Sequence, residues 1–428
     1  MVKHLLLRSC VVGLGLLLAT SSWGATEEYG YPIKDKYVAT VVGTPSEYWA
    51  DLPKKIPFHT RRVSIFPDRQ IPDAFFADSA LLYSVALQNK AAPLIFLIAG
   101  TGSSHNGGTN KQQAKAFYQA GFHVVSLSSP TFSNFVISAS STGVPGHAEH
   151  DAEDLYRAME KIHTILLDKD DIEITGFNLT GYSLGGFNSA YVAKLDEQRK
   201  SFNFDRVLLI NPPVSLYNSI SLLDRMADNI PGGVDNFDLF FDDLMRGFGE
   251  VYKRSSGDLG DNFLYDAYRA LDLKNEELAA LIGVAFRLSS ASMVFASDVM
   301  TNYGYVKPKE MKVTRHTDLQ PLARVVYRLG FTDYYHEYFY PYYRDNENAA
   351  GRDAFVQSES LTRIQDYLRN SPKISVMHNE NDIILEPGEI DFFREVFGDR
   401  AKIYPYGGHC GNMSYRDNVA HMIDTFTR

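Results

Sequence analysis

A five-residue motif near the middle of the chain constrains the fold more than any other feature. Residues 181–185 read Gly-Tyr-Ser-Leu-Gly and match the G-x-S-x-G pattern of a nucleophile elbow. Residues 172–180 before it are typical of a β-strand, and residues 186–195 after it are typical of a helix. The motif needs this context, because its glycines permit a tight turn that lifts the Ser183 hydroxyl above a sheet. A glycine–serine turn that caps an ordinary helix would have the same five residues. The catalytic interpretation therefore requires a base, an acid and an oxyanion hole elsewhere in the chain.

Short apolar runs around the motif predict a mostly parallel sheet. They lie at 93–99, 122–127, 206–210 and 373–378. Continuous apolar runs separated by helical patterns are typical of strands buried on both faces of a parallel sheet. Three further β-rich runs come first in the chain and predict antiparallel strands, at 37–42, 62–66 and 81–87. The expected fold class is therefore α/β, with helices on both faces of the sheet.

The segment from about 214 to 360 has a different character, because no parallel-strand pattern recurs in it. Amphipathic helices are predicted there, at 238–254, 261–271 and 276–302. We therefore expect a helical cap or lid inserted into the α/β core. The predicted domains are a signal peptide (1–24), the first part of the core (25–213), the cap (214–360) and the second part of the core (361–428).

The N-terminus has the features of a secretory signal peptide. Lys3 and Arg8 are followed by an apolar run at 10–19 and then by small residues suited to cleavage. An uncleaved membrane anchor is the alternative, but the run is shorter than the roughly 20 residues that span a bilayer. Without residues 1–24 the chain keeps only Cys410, so it cannot form an intramolecular disulfide. That is typical of bacterial export to the periplasm or the medium.

A glycine-rich loop at 100–108 follows the first predicted parallel strand. Its backbone N–H groups would face a ligand at the carboxyl end of the sheet. A nucleotide phosphate loop is one interpretation, but neither G-x-G-x-x-G nor the P-loop lysine pattern is present. The downstream elbow favours the other interpretation, in which the loop donates one N–H group to an oxyanion hole.

The long connection at 128–146 also leaves the carboxyl end of a predicted strand, where ligands of open α/β sheets bind. Phe132 and Phe135 lie in this connection, and Tyr182 lies beside the motif serine. These three aromatic residues are candidate substrate-binding residues for an acyl group. A surface loop with a few buried aromatic side chains is the alternative.

Two other clusters each have two interpretations. One is a polar group made of His147, Glu149, His150 and Asp151. A metal ion is conceivable there, but acidic residues at a helix N-terminus account for the pattern, and we predict no metal site. The other is a crowd of tyrosine and phenylalanine at 327–343. They line a cleft for an apolar, glycan or aromatic substrate, or they pack the cap internally.

The end of the chain offers a base and an acid. Asp382 follows the last buried strand, and His409 lies in a loop after a final short strand. Imidazole titrates near neutral pH and suits a general base, while a carboxylate would hold its ring in one tautomer. His378 is the rival base and Glu380 the alternative acid. Cys410 beside the histidine is not expected to be a nucleophile, because it has no second base nearby.

Together these features resemble the α/β-hydrolase superfamily. Ser183, Asp382 and His409 occur in that superfamily's order of nucleophile, acid and base. The resemblance covers about 95–215 and 370–428. It implies an α/β-hydrolase fold, which is a mostly parallel central sheet with helices on both faces, here with a mainly helical cap inserted after the sixth strand.

The resemblance also implies the oxyanion hole. Its donors would be the N–H group of Leu184 and that of Thr101 or Gly102. The superfamily's usual histidine before the glycine is Ala99 here. This departure leaves the second donor open, although not the mechanism, because the donors are backbone groups.

The sequence therefore predicts an exported serine hydrolase that cleaves carboxylic esters through an acyl-enzyme on Ser183. A peptidase or amidase on the same fold is the alternative, and a catalytically silent binding protein is a third reading that the complete triad disfavours. The expected partner is a small-molecule or lipid-like acyl ester, without a cofactor or a stable membrane anchor. A formal net charge of −10 argues against nucleic acid, which is usually bound by a basic face. No pattern defines the oligomeric state.

Overall fold

The computed structural model describes residues 29–170, 172–254, 263–347 and 351–427. The predicted signal peptide, 1–24, lies outside the described residues. Tyr31–Arg428 form one compact unit.

Among the described residues, eight strands form one sheet in the order β1-β2-β4-β3-β5-β6-β7-β8. The strands are β1 (His59–Val63), β2 (Leu81–Ala86), β3 (Ala92–Ile98), β4 (His123–Leu127), β5 (Ile174–Tyr182), β6 (Arg206–Ile210), β7 (Ile374–Asn379) and β8 (Ala401–Tyr404). β2 pairs antiparallel with β1 and β4, and the other neighbouring pairs are parallel. The predicted α/β class with a mostly parallel sheet is confirmed.

Helices surround this sheet. In the part of the chain that the structure describes they are α1 (Lys36–Val42), α2 (Gly108–Gln119), α3 (Ser133–Ser138), α4 (Ala148–Asp170), α5 (Leu184–Arg199), α6 (Leu216–Met226), α7 (Phe237–Arg254), α8 (Phe263–Leu271), α9 (Asn275–Thr301), α10 (Gln320–Val326), α11 (Phe331–Tyr334), α12 (Tyr340–Glu347), α13 (Arg352–Ser358), α14 (Gln365–Asn370), α15 (Glu389–Phe397) and α16 (Arg416–Thr427). A π-helical turn, Tyr335–Phe339, joins α11 to α12.

Strand β3 shows why the apolar runs are continuous. Leu94, Phe96 and Ile98 belong to the main core cluster, together with side chains of α4 and α5. Ile95 and Leu97 alternate with them and point to the opposite face, where α2 packs against β3 and β4. Both sets are fully buried, so each position of the strand must be apolar.

The chain between β6 and β7 supplies α6 to α14 and, within the described residues, no strand of the sheet. Many of its aromatic side chains pack together, and Tyr338 and Tyr343 are fully buried. The hydroxyls of Tyr343 and Tyr334 donate to the carbonyl oxygens of Val144 and Pro145, at 2.8 and 2.9 Å. These bonds join the helical insertion to the connection that follows β4.

The predicted strand at 37–42 is wrong, because these residues form helix α1. The Asp35 carboxylate accepts hydrogen bonds from the N–H groups of Tyr37 and Val38, both at 2.9 Å, and so caps the helix. Gly43, with a φ of +75°, ends it. These two end signals outweigh the β preference of valine and tyrosine, which depends strongly on context.

Helix α9 is the described helix that is long and apolar enough to cross a membrane. In this structure 61% of its most apolar window is buried inside the protein. Helices α1, α3 and α6 all pack against it. Burial among these helices accounts for its apolar sequence.

Candidate active site

The motif serine occupies a strained turn between β5 and α5. Ser183 has φ 56° and ψ −128°, and a non-glycine residue held in such a region costs about 1–3 kcal/mol. The flanking glycines make the turn possible. A Cβ on Gly185 would lie 2.2 Å from the carbonyl oxygen of Ile98, and a Cβ on Gly181 would lie 2.3 Å from that of Gly185. Any larger residue at either position would have to push backbone apart.

The structure brings Ser183, His409 and Asp382 together in one hydrogen-bonded chain. His409 Nε2 lies 2.9 Å from Ser183 Oγ, and His409 Nδ1 lies 3.0 Å from each carboxylate oxygen of Asp382. All three side chains are buried. The Cys410 sulfur lies farther from His409 Nε2 than Ser183 Oγ does, at 3.9 Å. Ser183, His409 and Asp382 follow the carboxyl ends of β5, β8 and β7. These strands run parallel in the same half of the sheet, so their carboxyl ends lie at one edge.

The negative charge of Asp382 favours the protonated form of His409. Burial raises the pKa of Asp382, but the charge and hydrogen bond of His409 outweigh it and leave that pKa below its ordinary value. Burial likewise lowers the pKa of His409, but the Asp382 carboxylate outweighs it, so the pKa of His409 lies well above its usual range. The pair therefore stabilises the imidazolium that a general base becomes when it takes the serine proton.

One side chain and one backbone N–H group donate hydrogen bonds to the carboxylate of Asp382. Asn211 Nδ2 donates to Asp382 Oδ2 at 2.9 Å, and the Ile384 N–H donates to Oδ1 at 3.1 Å. Asn211 was not among the predicted site residues. A polar residue directly after a buried strand is the signal that could have identified it, because such positions lie at the carboxyl edge of the sheet.

The rival base and the alternative acid have other partners. His378 is fully buried, its Nε2 donates to the carbonyl oxygen of Pro212 at 3.0 Å, and its Nδ1 lies 3.7 Å from Asp382. Burial lowers the pKa of His378, so its ring is a neutral support behind the acid. Glu380 is exposed and paired with Arg394. The geometry therefore favours His409 and Asp382 over these two alternatives.

Helix α1 supports the loop that carries His409, although no motif near it indicates such a role. Thr40 Oγ accepts a hydrogen bond from the His409 N–H at 2.9 Å and donates to the carbonyl oxygen of Lys36 at 2.7 Å. The packing is close, because a Cβ on Gly408 would lie 2.3 Å from that same Lys36 oxygen. Sequence reasoning missed Thr40 because this contact joins positions 369 residues apart.

The predicted oxyanion residues lie beside Ser183. Leu184 begins α5, so its N–H group has no partner within that helix. Thr101 lines the same cavity as Ser183. The Gly102 N–H is donated to Thr131 Oγ at 2.9 Å, so Thr101 is the better placed of the two candidate donors in the loop.

Two features identify the architecture. One is the order of the strands in the sheet, and the other is the position of the elbow after β5, of Asp382 after β7 and of His409 after β8. The fold is that of the α/β-hydrolases. No protein-family model matches the chain, and no curated protein matches it in sequence.

Solved structures that are similar to this chain are distant in sequence. A proline iminopeptidase of Mycobacterium smegmatis is 16% identical with a TM-score of 0.39, over 86% of this chain and 98% of that one. An esterase of Rhizomucor miehei is 13% identical with a TM-score of 0.40, over 88% and 84%. An esterase of Pyrococcus furiosus is 8% identical with a TM-score of 0.40, over 89% and 97%. At these scores the likeness carries no argument about activity.

Ser183 opens into a cavity that lies between the α/β core and the helical insertion. Much of the wall is apolar, from Leu216, Ile220, Leu223, Phe286, Met293 and Ile384. The aromatic residues of segment 327–343 have two kinds of surroundings. Tyr334, Tyr335 and Phe339 line the cavity. Tyr338 and Tyr343 pack inside the insertion.

The predicted substrate-binding residues are not among those that line this cavity. Helix α3 forms within the connection that was expected to be a loop, and it buries Phe135 in the main core cluster. Phe132 precedes that helix and is half-buried, and the ring of Tyr182 packs against Gly100. Their positions do not support the prediction. Thr131, from the same connection, lines the cavity instead.

One acidic side chain contributes to the cavity wall. Glu359 is 2% exposed, and burial raises its pKa to about 7. Its carboxylate accepts hydrogen bonds from the Ala148 N–H at 2.5 Å and from the Ser358 hydroxyl at 3.0 Å. The first bond caps the N-terminus of α4, and the cavity gains a potential negative charge in an apolar wall.

Proposed function

We propose that this protein is a serine hydrolase that cleaves carboxylic esters through an acyl-enzyme on Ser183. The observation that carries the proposal is the unbroken chain of hydrogen bonds from Ser183 Oγ through His409 to Asp382. A serine hydroxyl becomes a nucleophile when an adjacent base takes its proton, and that base needs a group that orients it.

The steps follow from these positions. Ser183 Oγ attacks the ester carbonyl carbon while His409 Nε2 takes the hydroxyl proton, and Asp382 stabilises the imidazolium. The N–H groups of Leu184 and Thr101 would bind the oxyanion, and each such donor is worth about 10²–10³ in rate. His409 then returns its proton to the leaving alcohol, which departs and leaves an acyl-enzyme. A water molecule, deprotonated by His409, attacks that acyl group and releases the acid and free Ser183.

The cavity supports a small-molecule or lipid-like acyl ester as the substrate. Its aliphatic and aromatic wall suits an apolar acyl or alcohol group, because transfer of apolar surface from water is favourable by about 25 cal/mol per Å². The apolar wall would bury that group while the ester carbonyl lies at Ser183. We propose no cofactor for this reaction.

A second candidate, an amidase or peptidase, is favoured by Glu359. A buried carboxylate in an otherwise apolar wall suits a substrate that carries an amine, since buried charges are normally paired. Aminoacyl amides and short peptides with a free amino group have this chemistry. The same triad would cleave them by the same steps.

Hydrolysis of a p-nitrophenyl ester series from acetate to palmitate tests the first proposal, with aminoacyl p-nitroanilides as the second arm. We expect ester turnover that disappears in Ser183→Ala while the far-ultraviolet circular dichroism and the melting temperature stay unchanged. Turnover of the anilides alone would transfer the proposal to the amidase. Ester turnover that persists in Ser183→Ala, or a serine that no fluorophosphonate labels, would contradict the proposal.

We also propose that the mature protein is exported to the periplasm or the medium. The basic and apolar N-terminal residues and the single cysteine after residue 24 support this. Fractionation of a bacterial host should recover a shortened chain outside the cytoplasm. A full-length chain that remains in the cytoplasm or the membrane would contradict it.

A further inference from the structure

Three metal-binding side chains converge where the helical insertion meets the core. His147 immediately precedes α4, His150 lies in the first turn of α4, and Glu347 is the last residue of α12. One ligand atom from each side chain lies within 4.8 Å of the other two. His150 Nε2 and Glu347 Oε2 are 3.0 Å apart. This trio differs from the cluster considered in the sequence, because Glu347 is distant in the chain.

The other two members of that sequence cluster face elsewhere. Glu149 is exposed and lies 3.4 Å from Arg363. Asp151 is buried and accepts a hydrogen bond from the Gly146 N–H at 2.9 Å. Helix capping and surface pairing therefore account for these two acids, but they do not account for the trio.

The surroundings of His147 are those of a ligand without its cation. Its Nδ1 is buried and has no hydrogen-bond partner among the described residues, and its Nε2 lies 3.8 Å from Glu359 Oε1. Buried polar atoms nearly always have a partner.

Aromatic neighbours hold the ring of His147 in place. The ring centroid lies 4.5 Å from that of His150 and 4.9 Å from that of Tyr343, which fixes its orientation.

We propose that His147, His150 and Glu347 bind one divalent cation of the zinc class. Two imidazoles and one carboxylate are a donor set that zinc accepts, and a fourth position remains for water. His150 and Glu347 are partly exposed, so the cation enters from solvent. Because the ligands come from α4 and α12, the bound cation links the helical insertion to the core. The inference does not rest on the proposed hydrolase activity.

Titration of the chelator-treated chain with zinc chloride, without a histidine tag, tests the site. Calorimetry at pH 7.5 should give one zinc per chain with a dissociation constant in the micromolar range or below, and zinc should raise the melting temperature. His150→Ala and Glu347→Gln should each weaken this binding at least 100-fold. His316→Ala and Glu149→Gln, which change an exposed histidine and an exposed acid outside the trio, should leave it unaltered.

The result can overturn the inference in two ways. The wild-type chain binds no zinc at 100 μM, or both trio variants bind zinc as tightly as the wild type. Circular dichroism of each variant separates a lost ligand from a lost fold. If His150→Ala does not fold, the decision rests on Glu347→Gln, whose exposed side chain is isosteric with the original.

Discussion

At the scale of single residues, Asp382 shows that the candidate site depends on groups that do not touch Ser183. It makes no contact with Ser183 in the hydrogen-bonded chain, and it acts through the ring of His409. Its carboxylate is fixed by Asn211 and by the Ile384 N–H. The tautomer and the charge of the base therefore depend on one buried carboxylate.

Replacing that carboxylate by an amide should nearly abolish turnover. In Asp382→Asn the amide no longer selects the tautomer that accepts the serine proton, and the same change in a serine-protease triad lowers kcat by about 10⁴. Steady-state ester hydrolysis measures the loss. Glu380→Gln is the matched control, because Glu380 is exposed and pairs with Arg394, and it should keep wild-type rates. Normal turnover in Asp382→Asn would exclude this acid.

The pH dependence of the activity should also report Asp382. His409 must be neutral to accept a proton, and its pKa is raised well above the ordinary 6.5 by the adjacent carboxylate. The neutral fraction therefore grows as the pH rises, so kcat/KM should increase with pH through an inflexion above 6.5. In Asp382→Asn the residual activity should inflect at lower pH, since the variant loses the carboxylate that contributes most to raising the pKa of His409 against burial. If the inflexion of the pH profile stays at the same pH in Asp382→Asn, it reports a group other than His409.

At the scale of elements, helix α1 and the loop that carries His409 behave as one unit. Glycines at 408 and 411 allow the loop to lie directly on the backbone of the helix, and Thr40 ties the His409 N–H to it. Side chains of α1 also pack with α6, α9 and the residues that follow Asp382. The helix thus contacts both the helical insertion and the two loops that carry His409 and Asp382.

Removal of the Thr40 hydroxyl should slow the reaction and leave substrate binding intact. Thr40→Val deprives the His409 N–H of its acceptor, and we expect kcat to fall about tenfold, equivalent to about 1.4 kcal/mol, at unchanged KM. Thr40→Ser should restore the rate. Thr164→Val is the matched control, because Thr164 donates to a helix carbonyl four residues earlier as Thr40 does, but far from the site. A loss of stability with no change in kcat would make the role of Thr40 purely structural.

At the scale of the whole molecule, the core and the helical insertion share their packing. Tyr334 and Tyr343 donate hydrogen bonds to the connection after β4, and a Cβ on Gly102 of the glycine-rich loop would lie 2.7 Å from Ser289 Oγ of α9. Tyr31–Arg428 accordingly form one compact unit. The insertion is part of the folded body, and its helices line the cavity at Ser183.

The whole chain should therefore melt in a single step. Scanning calorimetry should give one transition whose calorimetric and van't Hoff enthalpies agree. Tyr343→Phe, which removes the bond to Val144, should lower the melting temperature of that one transition without splitting it. An earlier separate transition, with proteolytic cuts confined to 214–360, would show that the insertion unfolds alone.

The sequence predicted those parts of this molecule that local pattern determines. The parallel strands can be identified from their apolar runs. The elbow, Asp382 and His409 each follow the end of a strand, and neighbouring residues show where a strand ends. Thr40, the cavity wall and the burial of Phe135 depend on segments that meet only after folding. A run such as 37–42 was predicted wrongly because its valines favour a strand, whereas one aspartate before it and one glycine after it determine a helix.

The wide spacing of the hydrogen-bonded chain affects when the protein can first be active. Ser183 and His409 lie 226 positions apart, and the support from Thr40 joins the start of the described chain to its end. A ribosome-bound or partly threaded chain contains Ser183 long before it contains His409. Such a nascent polypeptide would fold most of its sheet around a serine that lacks its proposed base, and reactivity would appear only after residue 409 has been made and folded.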